Sequence, residues 1–149
     1  MMARTILALA SLFTSVAAAS ADVFLTDPWA RASILASRPG AAYLTLESTE
    51  NDKLIKLSTP MAAKVMIHST ETGTDGVSRM HHMMSLDLPA GQVVTLAPGG
   101  LHLMLMGIAS KLEEGTSFPM TLEFEKAGAV TIEVQVLSAA AAGPEDTGE

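Results

Sequence analysis

All four histidines of the chain, His68, His81, His82 and His102, fall between Met61 and Met106, a window that also holds seven of its ten methionines. Imidazole nitrogen and thioether sulfur are neutral donors. Together, without carboxylate or thiolate, they form a soft ligand set that prefers Cu(I) to Zn(II), Ca(II) or Mg(II). The chain has no cysteine, so any metal site is free of thiolate, and a blue-copper electron-transfer centre, which needs a cysteine ligand, is excluded.

The spacing of these residues sets the donors on one side of extended strands. In Leu101-His102-Leu103-Met104-Leu105-Met106, a period of two puts the three leucines on one face and His102, Met104 and Met106 on the other. The leucines are the natural core face, and packing alone does not call for an imidazole and two thioethers opposite them. Val65-Met66-Ile67-His68 repeats the pattern, so His68 can lie across from His102. A hairpin through Thr74-Asp75-Gly76 would bring Met80 back toward His68.

The elements that must carry these residues are strands. Period-two segments run over residues 41–47, 54–57, 65–70, 93–96, 101–106, 118–124 and 130–136. Between them lie turn signals: Arg38-Pro39-Gly40, Glu50-Asn51-Asp52, Thr74-Asp75-Gly76, Pro89-Ala90-Gly91 and Pro98-Gly99-Gly100. The spacing predicts an all-β, antiparallel β-sandwich in a single domain. Residues 107–114 make at most one short helical turn between two glycines. No internal repeat or second composition regime interrupts the chain.

At the start, Arg4, an apolar run from Ile6 to Ala19 and small residues at Ala19 and Ala21 read as a secretory signal peptide over residues 1–21. Its apolar run is too short for a membrane span, and no later segment is long enough. The ordered domain is expected over residues 22–137, and the alanine-rich, acidic end, residues 138–149, as a disordered tail. Without Arg4, eight Lys and Arg face sixteen Asp and Glu, a balance that disfavours nucleic acid and anionic membranes as partners. An exported domain without disulfides must rest on its apolar core, and thioethers stay available as ligands in an oxidising compartment.

On these residues the chain resembles the PCuAC family of periplasmic copper chaperones, whose signature is a histidine, a ten-residue gap, a methionine, twenty-one residues and His-x-Met. Here His68 is followed after eleven residues by Met80, then after twenty-one by His102-Leu103-Met104. The extra residue falls in the loop of residues 71–78, where a turn can absorb it, and Arg79 stands in the family's usual methionine slot. Asp27-Pro28-Trp29-Ala30-Arg31, Ala42-Tyr43-Leu44-Thr45-Leu46 and Pro98 to Gly107 are similar to family stretches as well. The resemblance implies a cupredoxin-like, periplasmic sandwich with Cu(I) held by His68, Met80, His102 and Met104, and a monomer is the expected form. It also implies delivery to a copper acceptor, the copper subunit of a respiratory cytochrome oxidase or an assembly factor for it. The His- and Met-rich extension of some relatives is missing from residues 138–149.

Plainer readings compete residue by residue. Met61, Met66 and Met120 suit core filling, as do the adjacent Met83 and Met84, of which the outward one is alternatively a spare or transient ligand. His81 and His82 read as a solvated pair beside a turn, although His82 shares strand parity with Met80. Trp29 and Arg31 suit packing roles. Among functions, delivery to an acceptor and buffering of copper without one use the same ligands. An enzyme is disfavoured because no carboxylate lies within the His and Met segments to act as a general base. A metal-free sandwich with an adhesive methionine face is the remaining alternative.

Overall fold

A computed structural model describes residues 21–144. Residues 1–20 of the expected signal peptide and residues 145–149 of the expected tail lie outside the described residues. Ten strands occur among those described: β1 (Val23–Arg31), β2 (Gly40–Ser48), β3 (Asp52–Ser58), β4 (Ala62–Thr72), β5 (Ser78–Met83), β6 (Leu86–Leu88), β7 (Val93–Thr95), β8 (His102–Ile108), β9 (Ser117–Phe124) and β10 (Gly128–Leu137). They hydrogen-bond in the order β5-β4-β8-β2-β1-β10-β9-β3-β6, with β7 also paired to β2. Every pair is antiparallel except β1 with β10, so the sheet is mixed. The fold is all-β, as the alternation predicts, and no helix forms among the described residues: residues 109–116 are loop with one bend and one turn.

One apolar cluster joins the two halves of this sheet. β2, β4 and β8 contribute Leu44, Leu46, Val65, Ile67, Leu103 and Leu105, and β3, β9 and β10 contribute Leu54, Leu57, Phe118, Met120, Leu122, Phe124, Val134 and Val136. Alternation then fixes what faces outward. Along β8, Leu103 and Leu105 are fully buried while Met104 and Met106, which alternate with them, are half-buried.

β1 runs through a stretch that does not alternate cleanly. Asp27 has φ 50°, and the pairing with β2 shifts register between Thr26 and Trp29, a bulge that re-aims the strand. After it, Trp29 pairs with Tyr43 and Ala30 reaches the core. Near the end of β8, Gly107 has φ 62°, and a Cβ there would stand 3.0 Å from the Ala63 side chain on β4. Glycine thus lets the two donor-bearing strands stay paired through this irregular step. The last described segment begins with a turn, Ala141 N–H donating to Ser138 O, and Arg31 Nε donates to Ala141 O at 2.8 Å.

The far half of the sheet is fastened by Asp52 at the start of β3. Its Oδ1 accepts from Lys53 N–H (2.7 Å) and Lys126 N–H (2.8 Å), and its Oδ2 accepts from Ala127 N–H (2.9 Å). Burial pushes this carboxyl up. The three backbone donors and the nearby Lys126 charge together outweigh burial and hold it below the usual carboxylate range. Its contribution is therefore present above the ordinary carboxylate range and lost as pH falls through the lowered folded value. Asp52→Ala leaves the β9–β10 turn's donors without this acceptor, and a loss of about 3 kcal/mol in unfolding free energy is expected from urea denaturation at pH 7. A change below about 0.5 kcal/mol would show that the carboxylate does not fasten the turn.

Candidate metal centre

The site is built by three neighbouring strands. β4 pairs with β8 so that His68 lies opposite His102 and Met66 opposite Met104. β5 pairs with the other edge of β4 so that His82 lies opposite His68 and Met80 opposite Thr70. Directly paired residues project to the same side, so His82, His68 and His102 form a row across β5, β4 and β8. Leu103, Val65 and Ile67 point the other way, into the core.

Met80 comes within 3.1 Å of His68, from its Sδ to Nδ1. The longer loop is absorbed between the strands: Gly73 N–H donates to Val77 O, Gly76 N–H donates to Gly73 O, and the ladder resumes at Thr72 and Ser78. Arg79, opposite Glu71, forms a 2.9 Å ion pair with Asp75. Strand alternation puts it on the other side from Met80.

The second histidine is held by backbone. His102 Nδ1 lies 3.0 Å from Gly100 O, and Thr70 N–H donates to the same oxygen at 3.1 Å. A proton on Nδ1 directed at this carbonyl leaves the Nε2 lone pair free, the arrangement in which metal-binding histidines are commonly fixed. The Pro98-Gly99-Gly100 turn therefore orients the ring and ties the start of β8 to β4.

The rings of His68 and His102 have centroids 5.7 Å apart, edge to face at 78°. His68 is 9% exposed and His102 7%. Burial lowers the pKa of His68, and the charges of His102 and His82 lower it further. Both effects favour the neutral, ligating form.

The row continues past the histidines. Leu103 pairs with Ala42, which sets Tyr43 beside His102 on the same side, and Tyr43 stacks on Trp29 with centroids 4.4 Å apart. Arg31 lies over the Tyr43 ring at 5.9 Å. Burial raises the Tyr43 phenol against the opposing effect of Arg31, so this neighbour is neutral. Among the described residues, no group of three or more His, Asp or Glu side chains is placed to hold a metal ion. A metal centre on this face has to draw on thioether sulfur.

All four residues singled out from sequence thus lie on one side of adjacent strands. Met120 is core, 1% exposed, and Met61 and Met83 pack against the core, as expected of filler. Met66 is not filler: it is half-buried on the donor side opposite Met104. His82, read as half of a solvated pair, stands directly across from His68 with ring centroids 5.6 Å apart. Its parity with Met80 was the signal for it. His81, opposite Ser69, faces away.

Fold and face together define a cysteine-free, cupredoxin-like β domain that carries a His- and Met-lined outer surface. The sequence profile of the LpqE-like family matches residues 23–136, and the chain belongs to this family, the family of PCuAC domains. It is similar to the PCuAC domain of PmoF2: 29% identical to the apo form, with a TM-score of 0.70 over 84% of this chain and 97% of that one. To the copper-bound form it is 28% identical, with a TM-score of 0.67 over 81% and 97%. The Cu(I) form of DR1885 from Deinococcus radiodurans is 25% identical, with a TM-score of 0.56 over 85% and 83%. The lipoprotein Lxx21020 of Leifsonia xyli subsp. xyli is 33% identical over 75 residues, which make up 50% of this chain and 45% of that protein.

The electrostatics of the row can be read by NMR. In the metal-free protein the His68 ring is expected to titrate below the ordinary histidine value of about 6.5, and His102→Ala moves its midpoint upward by removing one charged neighbour. Because the folded value is lowered, His68 favours the folded state fully above the ordinary histidine range. That contribution falls away as pH drops toward the folded value. A His68 midpoint at or above the ordinary value would contradict this description of the row.

Proposed function

We propose that this protein is an exported copper carrier that holds one Cu(I) through His68, Met80, His102 and Met104 and passes it to an acceptor protein. The observation that carries the reading is the convergence of two buried imidazoles and a thioether in contact with one of them, on a face with no thiolate or carboxylate partner. Neutral nitrogen and sulfur donors suit a soft monovalent cation. The copper-bound relatives of the same fold support the metal, and the Cu(I) form of one of them supports its oxidation state.

Each donor has a defined part. His102, oriented by Gly100 O, offers Nε2. His68 offers a ring held in the neutral form by burial, with a nitrogen lone pair ready to ligate. Met104 extends the donor line along β8, and Met80, 54% exposed, closes the site from the solvent side. Thioethers bind Cu(I) without a proton to lose and exchange without leaving a charge behind, so an acceptor with similar donors can take the ion stepwise. No step requires a general acid or base, and we assign no catalytic activity.

The family's lipoprotein relatives and the leader-like residues 1–21 support export, with a single copper domain over residues 22–137. No helix among the described residues is long and apolar enough to cross a membrane. We assign the periplasm as the compartment, a monomer as the working form, and the copper subunit of a cytochrome oxidase or one of its assembly factors as the acceptor.

Anaerobic titration with Cu(I) against a chromophoric chelator tests the site. Wild type is expected to take one tight equivalent, and the double variant His102→Ala, Met104→Ala to lose at least about 100-fold in affinity. Affinity should also fall as pH drops from about 7.5 to about 5, because protons compete for both imidazoles. Equal binding by the variant, or a flat pH profile, would remove these residues from the site. Mixing the loaded protein with a metal-free oxidase copper domain then separates delivery from storage. Transfer within seconds supports delivery, and retention of the ion would favour buffering.

A further inference from the structure

The row of imidazoles does not end at His68. His82 is as close to it as His102 is: the centroid separations are 5.6 Å and 5.7 Å, and both pairs meet at 78°. Two imidazoles bonded to one ion at about 2.0 Å per nitrogen have centroids at most about 6 Å apart. By this measure either neighbour can share an ion with His68.

The thioethers are duplicated in the same way. Met104 follows His102 by two residues on β8, and Met80 precedes His82 by two residues on β5 with its sulfur against His68 Nδ1. His68 is therefore common to two donor sets, an inner one with His102 and Met104 and an outer one with His82 and Met80. The sets differ in access. His102 is buried and Met104 half-buried, whereas His82 is exposed and Met80 is 54% exposed. The outer pair lies on β5, the terminal strand of the sheet order, beyond which no further strand pairs among the described residues.

Building on the copper reading above, we propose that His82 is an exchange ligand. During uptake and release Cu(I) is held by His68, His82 and Met80, and it settles when His102 and Met104 displace His82. Copper stays Cu(I) throughout. Two coordinate bonds to neutral donors, His102 and Met104, form as the one to His82 breaks, so three-coordinate copper becomes four-coordinate while His68 and Met80 remain bonded. The ion thus moves between solvent side and interior without passing through a state of a single donor.

His81 supplies an internal control, since it is the same residue type on the same strand but faces away. Wild type, His82→Ala and His81→Ala, each loaded with one Cu(I), are mixed anaerobically with excess bathocuproine disulfonate in a stopped-flow instrument. Equilibrium affinities are measured with the same chelator. The expected result is release slowed about tenfold or more in His82→Ala, with affinity within about threefold of wild type and His81→Ala matching wild type in both. Unchanged release would overturn the proposal. So would an affinity loss as large as that of His102→Ala, which would make His82 a resident ligand. A wild type that holds no Cu(I) at equilibrium overturns the copper reading itself and this proposal with it, and that result is read without reference to the variants.

Discussion

Side chains alternate along a strand, so the antiparallel pairing of β4 with β8 decides at once what fills the core and what is offered outside. With Ile67 opposite Leu103 and His68 opposite His102, apolar groups pack inward and donors meet on the other side. A slip of one residue would turn the imidazoles into the apolar core and the leucines to the outer side. The cost of both changes makes the register one of the most strongly specified features of the molecule. The Gly100 carbonyl reinforces it, because it binds the β4 backbone at Thr70 and the His102 ring together. Packing energy in the core and ligand geometry on the surface are consequences of the same pairing.

What the sequence made legible follows from that coupling. The leucine alternation around His102 and Met104, and the shorter Val65-to-His68 segment, told which side chains lie opposite the core because one residue type had to be buried. β1 escaped notice because Asp27, Pro28 and the bulge break its period, and the parallel pairing with β10 has no local signature. β6 is three residues long, and Leu86-Asp87-Leu88 alone does not distinguish strand from loop. The loop of residues 71–78 concealed how its extra residue is absorbed. Two backbone hydrogen bonds across the Gly73–Val77 turn do so, which no count of intervening residues reveals.

His82 is exposed, as its reading as a solvated histidine expected, but its place across from His68 was not legible. Its parity was readable, but an imidazole beside a turn has a ready solvated explanation, and only the pairing of β5 with β4 sets it against His68. Met66 was misjudged for the opposite reason. A methionine between valine and isoleucine looks like filler, yet its neighbours take the inner face and leave it outside. In both cases the undecidable quantity was cross-strand register, a long-range property that residue types near in sequence do not determine.

The distribution of charge completes the argument for a soft, monovalent cargo. The chain carries a net charge of −7, which draws cations of every kind toward it over roughly a Debye length of about 10 Å. Selection has to come from the face itself. The donor-side positions of β4, β5 and β8 hold Lys64, Thr70, Thr72 and Ser78 beside the histidines and methionines, and no acid among them. Glu71 alternates to the other side opposite Arg79. Calcium and magnesium, which need several oxygen ligands, find none of their preferred carboxylates there. In the copper reading proposed above, a soft ion attracted by the same overall field would meet imidazole and thioether and be retained. Attraction is general and retention is local, and on β4 strand alternation keeps Glu71 on the face opposite the histidine and methionine.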